Sequence, residues 1–184
     1  MSQEYYKIEK LFTDAQIKEL LNLHSNLTEE KKYAHQDYNI FDAYKTHIPS
    51  QYQNSELFDC LRERSGLQVY NQYFLEYGKD GFTRMHTDND DAVGMTIVTL
   101  LYTSPDMKGG ETLVTLPYTK RSRPEGTYAK RQAGEPPLNK RIIPQVVHSE
   151  DGDSMIYDRS LLHGVAKVTE GKRIVLVSWF SKHA

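Results

Sequence analysis

Cysteine is almost absent from this chain. Cys60 is the only one in 184 residues, so no internal disulfide can form and no cysteine-rich zinc cage can be built. Any bound metal must be held by His, Asp or Glu. Long apolar runs are missing too: the opening stretch MSQEYYKIEK lacks the apolar core of a signal peptide, and nothing approaches the roughly eighteen residues needed to span a bilayer. The expectation is a soluble, cytoplasmic protein with no membrane partner. Charge of one sign is also lacking. A net charge of -2 and a pI near 6.4 give no overall basic field, so nucleic acid is an unsupported partner. The chain has neither an internal repeat nor a low-complexity tract, and its length suits one domain, 1–184, with a sizeable core.

What is present divides in two. In the first part, 1–66, Thr13 and Gln16 form a capping-box signature followed by Ile17, Leu20 and Leu21 at helical spacing. A second, short helix is expected in SELFDCLRERSG, with Ser55 as cap, Leu57, Phe58 and Leu61 as its apolar stripe, and Gly66 as its stop. Both stripes read as packing surfaces. From residue 67 to 184 the texture is short β-rich runs broken by Gly and Asp: LQVYNQYFLEY, MTIVTLLYT, ETLVTL, SMIYD, HGVAKV and KRIVLVSWF. No helical pattern of crossover length separates them, which argues for a sandwich or jelly roll over a parallel α/β sheet. The fold class is α+β, mainly β, with N-terminal packing helices. Residues 117–144 interrupt the body with five prolines and seven Lys or Arg against two Glu, a long basic loop of the kind that serves as a lid, a binding loop or a solvated insertion.

RMHTDNDDAVG, residues 84–94, sets a histidine beside a string of carboxylates. His86 and Asp88 are two apart, which on a strand points both to one face. A metal site and a hydrated acidic turn both fit those residues alone. Asp90 and Asp91 do not make a calcium loop, because the glycine at position six and the glutamate at twelve are missing. Further on, GDSMIYDRSLLHGVAKVTEGKRIVLVSWF adds His163 at the start of a β-run and Arg173 on the next one. Two histidines and one carboxylate occupy one face of an octahedral ion and leave three positions open, the arrangement suited to non-haem Fe(II) oxygen chemistry. A buried guanidinium is a planar fork that matches the far carboxylate of a dicarboxylic co-substrate. If a three-residue turn joins the two runs, His163 and Arg173 share one face of paired strands, and Lys167 must sit at a bulge or strand end to avoid pointing inward. The other histidines, His24, His35, His47, His148 and His183, have no partner at ligand spacing.

Taken in order, Tyr77 nine residues before His86, HTD, GGET at Gly109 to Thr112, GDSMIYD, and LHGVAKVTEGKR ending at Arg173 resemble the Fe(II)/2-oxoglutarate-dependent dioxygenase superfamily, and within it the prolyl 4-hydroxylase-like group. The likeness runs from about residue 70 to 180. It departs from the family pattern at Lys167, where many relatives have proline, and in the length of the basic loop. The resemblance implies a double-stranded β-helix with Fe(II) on His86, Asp88 and His163. It also implies 2-oxoglutarate as co-substrate on Arg173 and ascorbate as reductant. Tyr102 matches the family's hydroxyl partner for the same carboxylate, Tyr77 would line the pocket near the iron, and Trp179 falls where related hydroxylases carry an active-site tryptophan.

The reaction so implied consumes dioxygen and 2-oxoglutarate, releases succinate and carbon dioxide, and hydroxylates an unactivated C–H, with a protein or peptide residue such as proline as the favoured target. Three alternatives stand beside it. Oxidative demethylation of nucleic acid is disfavoured because the superfamily's repair branch carries two arginines six apart where this chain has Arg173 and Trp179. Hydroxylation of a free amino acid or other small molecule is the second, and a non-catalytic β-barrel binding module the third.

Overall fold

The computed structural model describes residues 5–88, 90–115 and 144–182. The basic loop lies outside the described residues except for Pro144, as does His183. In chain order the elements are β1 (Tyr6–Lys10), α1 (Asp14–Asn26), β2 (Lys31–Asp37), β3 (Ile40–His47), α2 (Ser50–Gln53), a 3₁₀ turn (Glu56–Phe58), α3 (Asp59–Ser65) and β4 (Val69–His86). There follow β5 (Val93–Thr103), β6 (Lys108–Gly109), β7 (Thr112–Thr115), β8 (Gln145–Val147), β9 (Asp153–Asp158), β10 (Leu162–Val165), β11 (Val168–Glu170) and β12 (Arg173–Ser181).

Thr13 caps α1 as its sequence implies: its hydroxyl accepts from the Gln16 amide at 3.3 Å, and the Gln16 side chain accepts from the Thr13 amide at 2.9 Å. Gly66 ends α3 in the left-handed region at φ 64. Ser55 makes no side-chain cap, because the segment enters α3 through the 3₁₀ turn. The larger departure is that the first part is not only helical. β1, β2 and β3 all join the sheet, β3 along the edge of β4, and β2 beyond it. KKYAHQD and IFDAYKTH hide their strand character because their outward face carries Tyr, His and Lys in place of a clean apolar alternation.

The strands pair in the order β1-β9-β5-β12-β4-β10-β7-β8, with antiparallel neighbours throughout. Val147 of β8 and Met155 of β9 stand far apart on that path yet line one cavity, so the sheet curls back on itself into a jelly roll. β4 makes the curl possible. Its first half pairs with β12 as far as Tyr77, its last residues pair with β10 from Thr83, and Gly78 to Gly81 bulge out between them. A bulge bends a strand and sharpens its twist. Gly81 is required there, since a side chain would meet the Asp42 carbonyl at 2.9 Å.

Alternation then assigns the two faces. Phe74, Ile97, Leu101, Ile156, Ile174, Leu176 and Phe180 face outward and bury the apolar stripes of α1 and α3, Leu20 and Leu61 among them. Tyr73, Leu75, Tyr77, Leu100, Val175 and Val177 face inward. β4, β5 and β12 are thus covered on both sides, one by the helices and the other by the cavity wall. No helix among the described residues is long and apolar enough to cross a membrane.

Candidate active site

His86 is the last residue of β4, and His163 lies directly opposite it on β10. That register sets the two imidazoles 4.4 Å apart, centre to centre. Asp88 sits just past the end of β4, where its amide donates to the Arg159 carbonyl at 3.0 Å. Asp88 Oδ1 is 3.6 Å from His86 Nε2 and 3.8 Å from His163 Nε2. One donor atom from each of the three lies within 4.8 Å of the others, a spacing that can hold one metal ion.

Neighbouring groups aim these donors. Nδ1 of His86 lies 2.7 Å from the Arg84 carbonyl and Nδ1 of His163 lies 2.9 Å from the Leu161 carbonyl. Carbonyls only accept, so each ring carries its hydrogen on Nδ1 and turns the Nε2 lone pair inward. Thr96 donates its hydroxyl to Asp88 Oδ2 at 2.6 Å, which leaves Oδ1 for the histidines. Burial and the nearby His86 push His163 down to about 4, against the pull of Asp88. It is neutral at neutral pH, as a ligand must be. Burial works to raise the Asp88 carboxyl, but the nearness of His86 and His163 and the hydrogen bond from Thr96 outweigh it and hold the group below its ordinary value. Asp90 and Asp91 serve the loop instead: Asp90 accepts from Tyr70 at 2.9 Å and from the Ala92 amide, and Asp91 pairs with Arg159 at 2.8 Å.

Arg173 opens β12 at the far side of the same cavity. It is 4% exposed. Its Nη1 donates to the Gly110 carbonyl, its Nη2 reaches the Thr112 hydroxyl at 3.2 Å, and the guanidinium lies 5.9 Å from the centre of the Tyr77 ring. GGET therefore has a structural meaning. Gly110, at φ 73, offers its carbonyl where a side chain would meet Met107 at 2.2 Å, and Thr112 supplies the second acceptor. No carboxylate of the described residues stands in ion-pair range of Arg173, and its Nε has no partner. A buried, unpaired guanidinium is costly, and a carboxylate entering the cavity would offset that cost.

The two ends line one and the same pocket. A sequence profile of the 2OG-Fe(II) oxygenase superfamily matches residues 71–181. The chain belongs to that superfamily. A search of curated proteins finds no sequence match. Among solved structures, a prolyl-4-hydroxylase of Pseudomonas putida superposes with a TM-score of 0.65 at 16% identity, covering 98% of this chain and 94% of that one. The viral collagen prolyl hydroxylase of Paramecium Bursaria Chlorella virus-1, in complex with 2OG, gives 0.58 at 15% identity, covering 96% and 95%. HygX of Streptomyces hygroscopicus, with nickel, 2-oxoglutarate and hygromycin B bound, gives 0.63 at 14% identity, covering 96% and 82%. At these identities the likeness is one of fold.

The oxygenase gathers His86, Asp88, His163, Arg173, Tyr77 and Trp179 around one cavity. Tyr77 is 2% exposed, and its hydroxyl is 2.8 Å from that of Thr83. Trp179 stands edge-on to Tyr73, 5.8 Å between ring centres, at the mouth. Tyr102 is a correction. A bulge where Ile174 and Val175 of β12 meet Tyr102 and Leu100 of β5 puts Thr103 opposite Arg173 and turns Tyr102 to the outer face, against the helix-side core and under Lys172. The hairpin expected between the His163 and Arg173 runs is also corrected: β10 and β12 pair with successive stretches of β4, whose other edge is taken by β3, and β11 pairs with β6. β10 ends at Val165, and Lys167 points outward to Asp80 at 3.1 Å. Thr96, Tyr73 and Tyr157 were missed by sequence reasoning. Thirteen tyrosines dilute the signal, and only strand register separates these from the rest.

Proposed function

We propose that this oxygenase hydroxylates an unactivated C–H of a protein or peptide residue, proline foremost, with His86, Asp88 and His163 holding Fe(II) and Arg173 holding the far carboxylate of 2-oxoglutarate. The observation that carries the reading is the buried Arg173, without a carboxylate partner among the described residues, in the same cavity as an inward-facing His-Asp-His set. The residues fit both groups: two imidazole lone pairs and one carboxylate oxygen for the metal, and one unpartnered guanidinium nitrogen for the acid. With both bound, the centre supplies oxidising power, turning dioxygen and 2-oxoglutarate into succinate, carbon dioxide and one oxygen atom for the substrate.

The chain's own task is positioning. Arg84 and Leu161 carbonyls orient the imidazoles, Thr96 orients the carboxylate, and Gly110 with Thr112 fixes the guanidinium plane. Leu75, Leu100, Val175 and Val177 give the cavity an apolar wall. Outside the cavity a groove passes Tyr38, Tyr73 and Trp179 on its way to His86, and Tyr38 is 88% exposed. Aromatic-lined grooves suit the flat, preordered proline ring at low entropic cost, which supports a peptide over a nucleic acid. The fold shared with HygX makes a small molecule the alternative.

The test is incubation of the protein with Fe(II), 2-oxoglutarate and oxygen, then mass spectrometry of proline-containing peptides and of small-molecule pools. A gain of one oxygen on a peptide residue, matched by succinate, is expected. Succinate coupled only to a small molecule would replace the peptide reading, and no iron-dependent succinate under any condition would remove the activity altogether.

A further inference from the structure

The hydroxyl of Tyr157, on β9, lies 3.0 Å from Nε2 of His163, and the two rings stand 4.7 Å apart at 52°. The direction of that bond is set from the other side of the imidazole. Nδ1 of His163 gives its hydrogen to the Leu161 carbonyl, so Nε2 is the acceptor and Tyr157 the donor. The phenolic hydrogen therefore occupies the very lone pair that a metal on His86, Asp88 and His163 requires. One lone pair cannot serve both.

Once displaced, this hydroxyl has few places to go. Tyr157 is 4% exposed, packed among Val114, Val147, Met155 and Leu161, and bulk water does not reach it. Thr96, its cross-strand partner, donates to Asp88 Oδ2 and keeps its own lone pairs, so its neutral hydroxyl is the acceptor the protein itself offers. A buried donor without an acceptor is strongly disfavoured. The cavity that Tyr157 lines is the one reached by Arg173, so a carboxylate held by Arg173 brings a charged acceptor, stronger than the neutral Thr96 hydroxyl, to the same space.

We propose that Tyr157 is a switchable donor: its hydroxyl caps Nε2 of His163 in the metal-free protein, yields that position to a divalent ion, and then donates to the 2-oxoglutarate carboxylate that enters beside the ion. The inference rests on His86, Asp88 and His163 as the ligand set.

The test titrates Mn(II) alone into the full-length, metal-free protein, and then 2-oxoglutarate into the Mn(II)-loaded protein, for wild type and Tyr157→Phe. The variant should bind Mn(II) about 2- to 10-fold more tightly, the range for one net hydrogen bond that no longer has to be broken. It should bind 2-oxoglutarate roughly tenfold more weakly, since a donor to a charged acceptor is gone. Unchanged or weaker Mn(II) binding overturns the proposal, and so does unchanged 2-oxoglutarate affinity. A readout on wild type covers the case of a variant that does not fold: Mn(II) should perturb the near-ultraviolet tyrosine absorption as the phenol leaves the imidazole, and a flat difference spectrum overturns the proposal equally. His163→Ala separates the two levels. If that variant binds Mn(II) like wild type, the ligand set itself is wrong; if it loses Mn(II) while Tyr157→Phe matches wild type, only the role of Tyr157 falls.

Discussion

Replacing Arg173 with Met keeps much of the side-chain volume and removes the charge, and its effects should separate cleanly. In the free protein the guanidinium is buried with bonds to Gly110 and Thr112 and, among the described residues, an unpartnered Nε and no counter-ion. Burial lowers its hold on the proton, and Tyr77, Glu111 and Asp151 only partly oppose that. Removing it relieves the desolvation cost but leaves two acceptors without a donor, terms of similar size and opposite sign. The melting temperature of the free variant should therefore stay close to wild type. Binding is a different matter: truncating one partner of a buried charge-assisted pair costs on the order of 2–4 kcal/mol. At about 1.4 kcal/mol per decade this is a roughly 30- to 1,000-fold weaker 2-oxoglutarate affinity. Calorimetric titration of the Mn(II)-loaded proteins measures it. Wild type at a hundredfold excess over its Kd should gain about 2.7 kcal/mol of stability from 2-oxoglutarate, and Arg173→Met almost none. Metal affinity without co-substrate should hardly change. Wild-type 2-oxoglutarate affinity in this variant would refute the assignment and leave its buried cation unexplained.

Other outcomes are expected from the same geometry. His86→Ala, Asp88→Ala and His163→Ala should each abolish Mn(II) binding by calorimetry while preserving the far-ultraviolet circular dichroism of the β-rich fold. Thr96→Val, which strips the donor from Asp88 Oδ2, should weaken metal binding about 10- to 100-fold, the usual effect of losing a group that orients a ligand; an unchanged affinity would mean that Asp88 is held by its backbone alone. Gly110→Ala places a methyl against Met107 and Val168 at a positive φ, so both stability and 2-oxoglutarate binding should fall, by about 1–3 kcal/mol for the strained backbone. Acid should destabilise the metal-free protein. His24, His47 and His163 all have folded values depressed below 6.5, chiefly by burial, so the unfolded chain holds these protons more tightly. Their contribution is fully present above about pH 6.5 and is lost as pH falls toward the folded values, about 4 for His163. Urea midpoints measured across that range should drop on acidification, and a rising midpoint would contradict the burial of these rings.

Much of the site was readable in the chain because its chemistry constrains residue type at fixed spacing. Two imidazoles and a carboxylate for a facial metal, and a guanidinium for a dicarboxylate, leave few substitutes, so His86, Asp88, His163 and Arg173 stand out in a sequence without a second cysteine. The capping box at Thr13 is legible for a related reason: its partners are three residues apart and bond locally. Tyr102 shows where such reading stops. Counting by twos along TLLYT places it with Leu100, and a single bulge opposite Ile174 reverses its face. β2 and β3 were hidden likewise, because an edge hairpin with a polar outer face gives no strong alternation.

The sequence by itself determined the donor atoms, the helix cap, the two-faced strands and hence the mainly β class, all of them properties of residue type and short-range periodicity. Only the tertiary structure decided which residues meet. β4 had to bulge at Gly78 to Gly81 before it could pair with β12 at one end and β10 at the other, and that hand-over brings Arg173 and His163, paired with successive stretches of one strand, to a common cavity. The same closure sets Thr96 against Asp88 and Tyr157 against His163. Pairings of this kind depend on register between strands distant in the chain, and a one-residue shift exchanges every side chain between core and cavity.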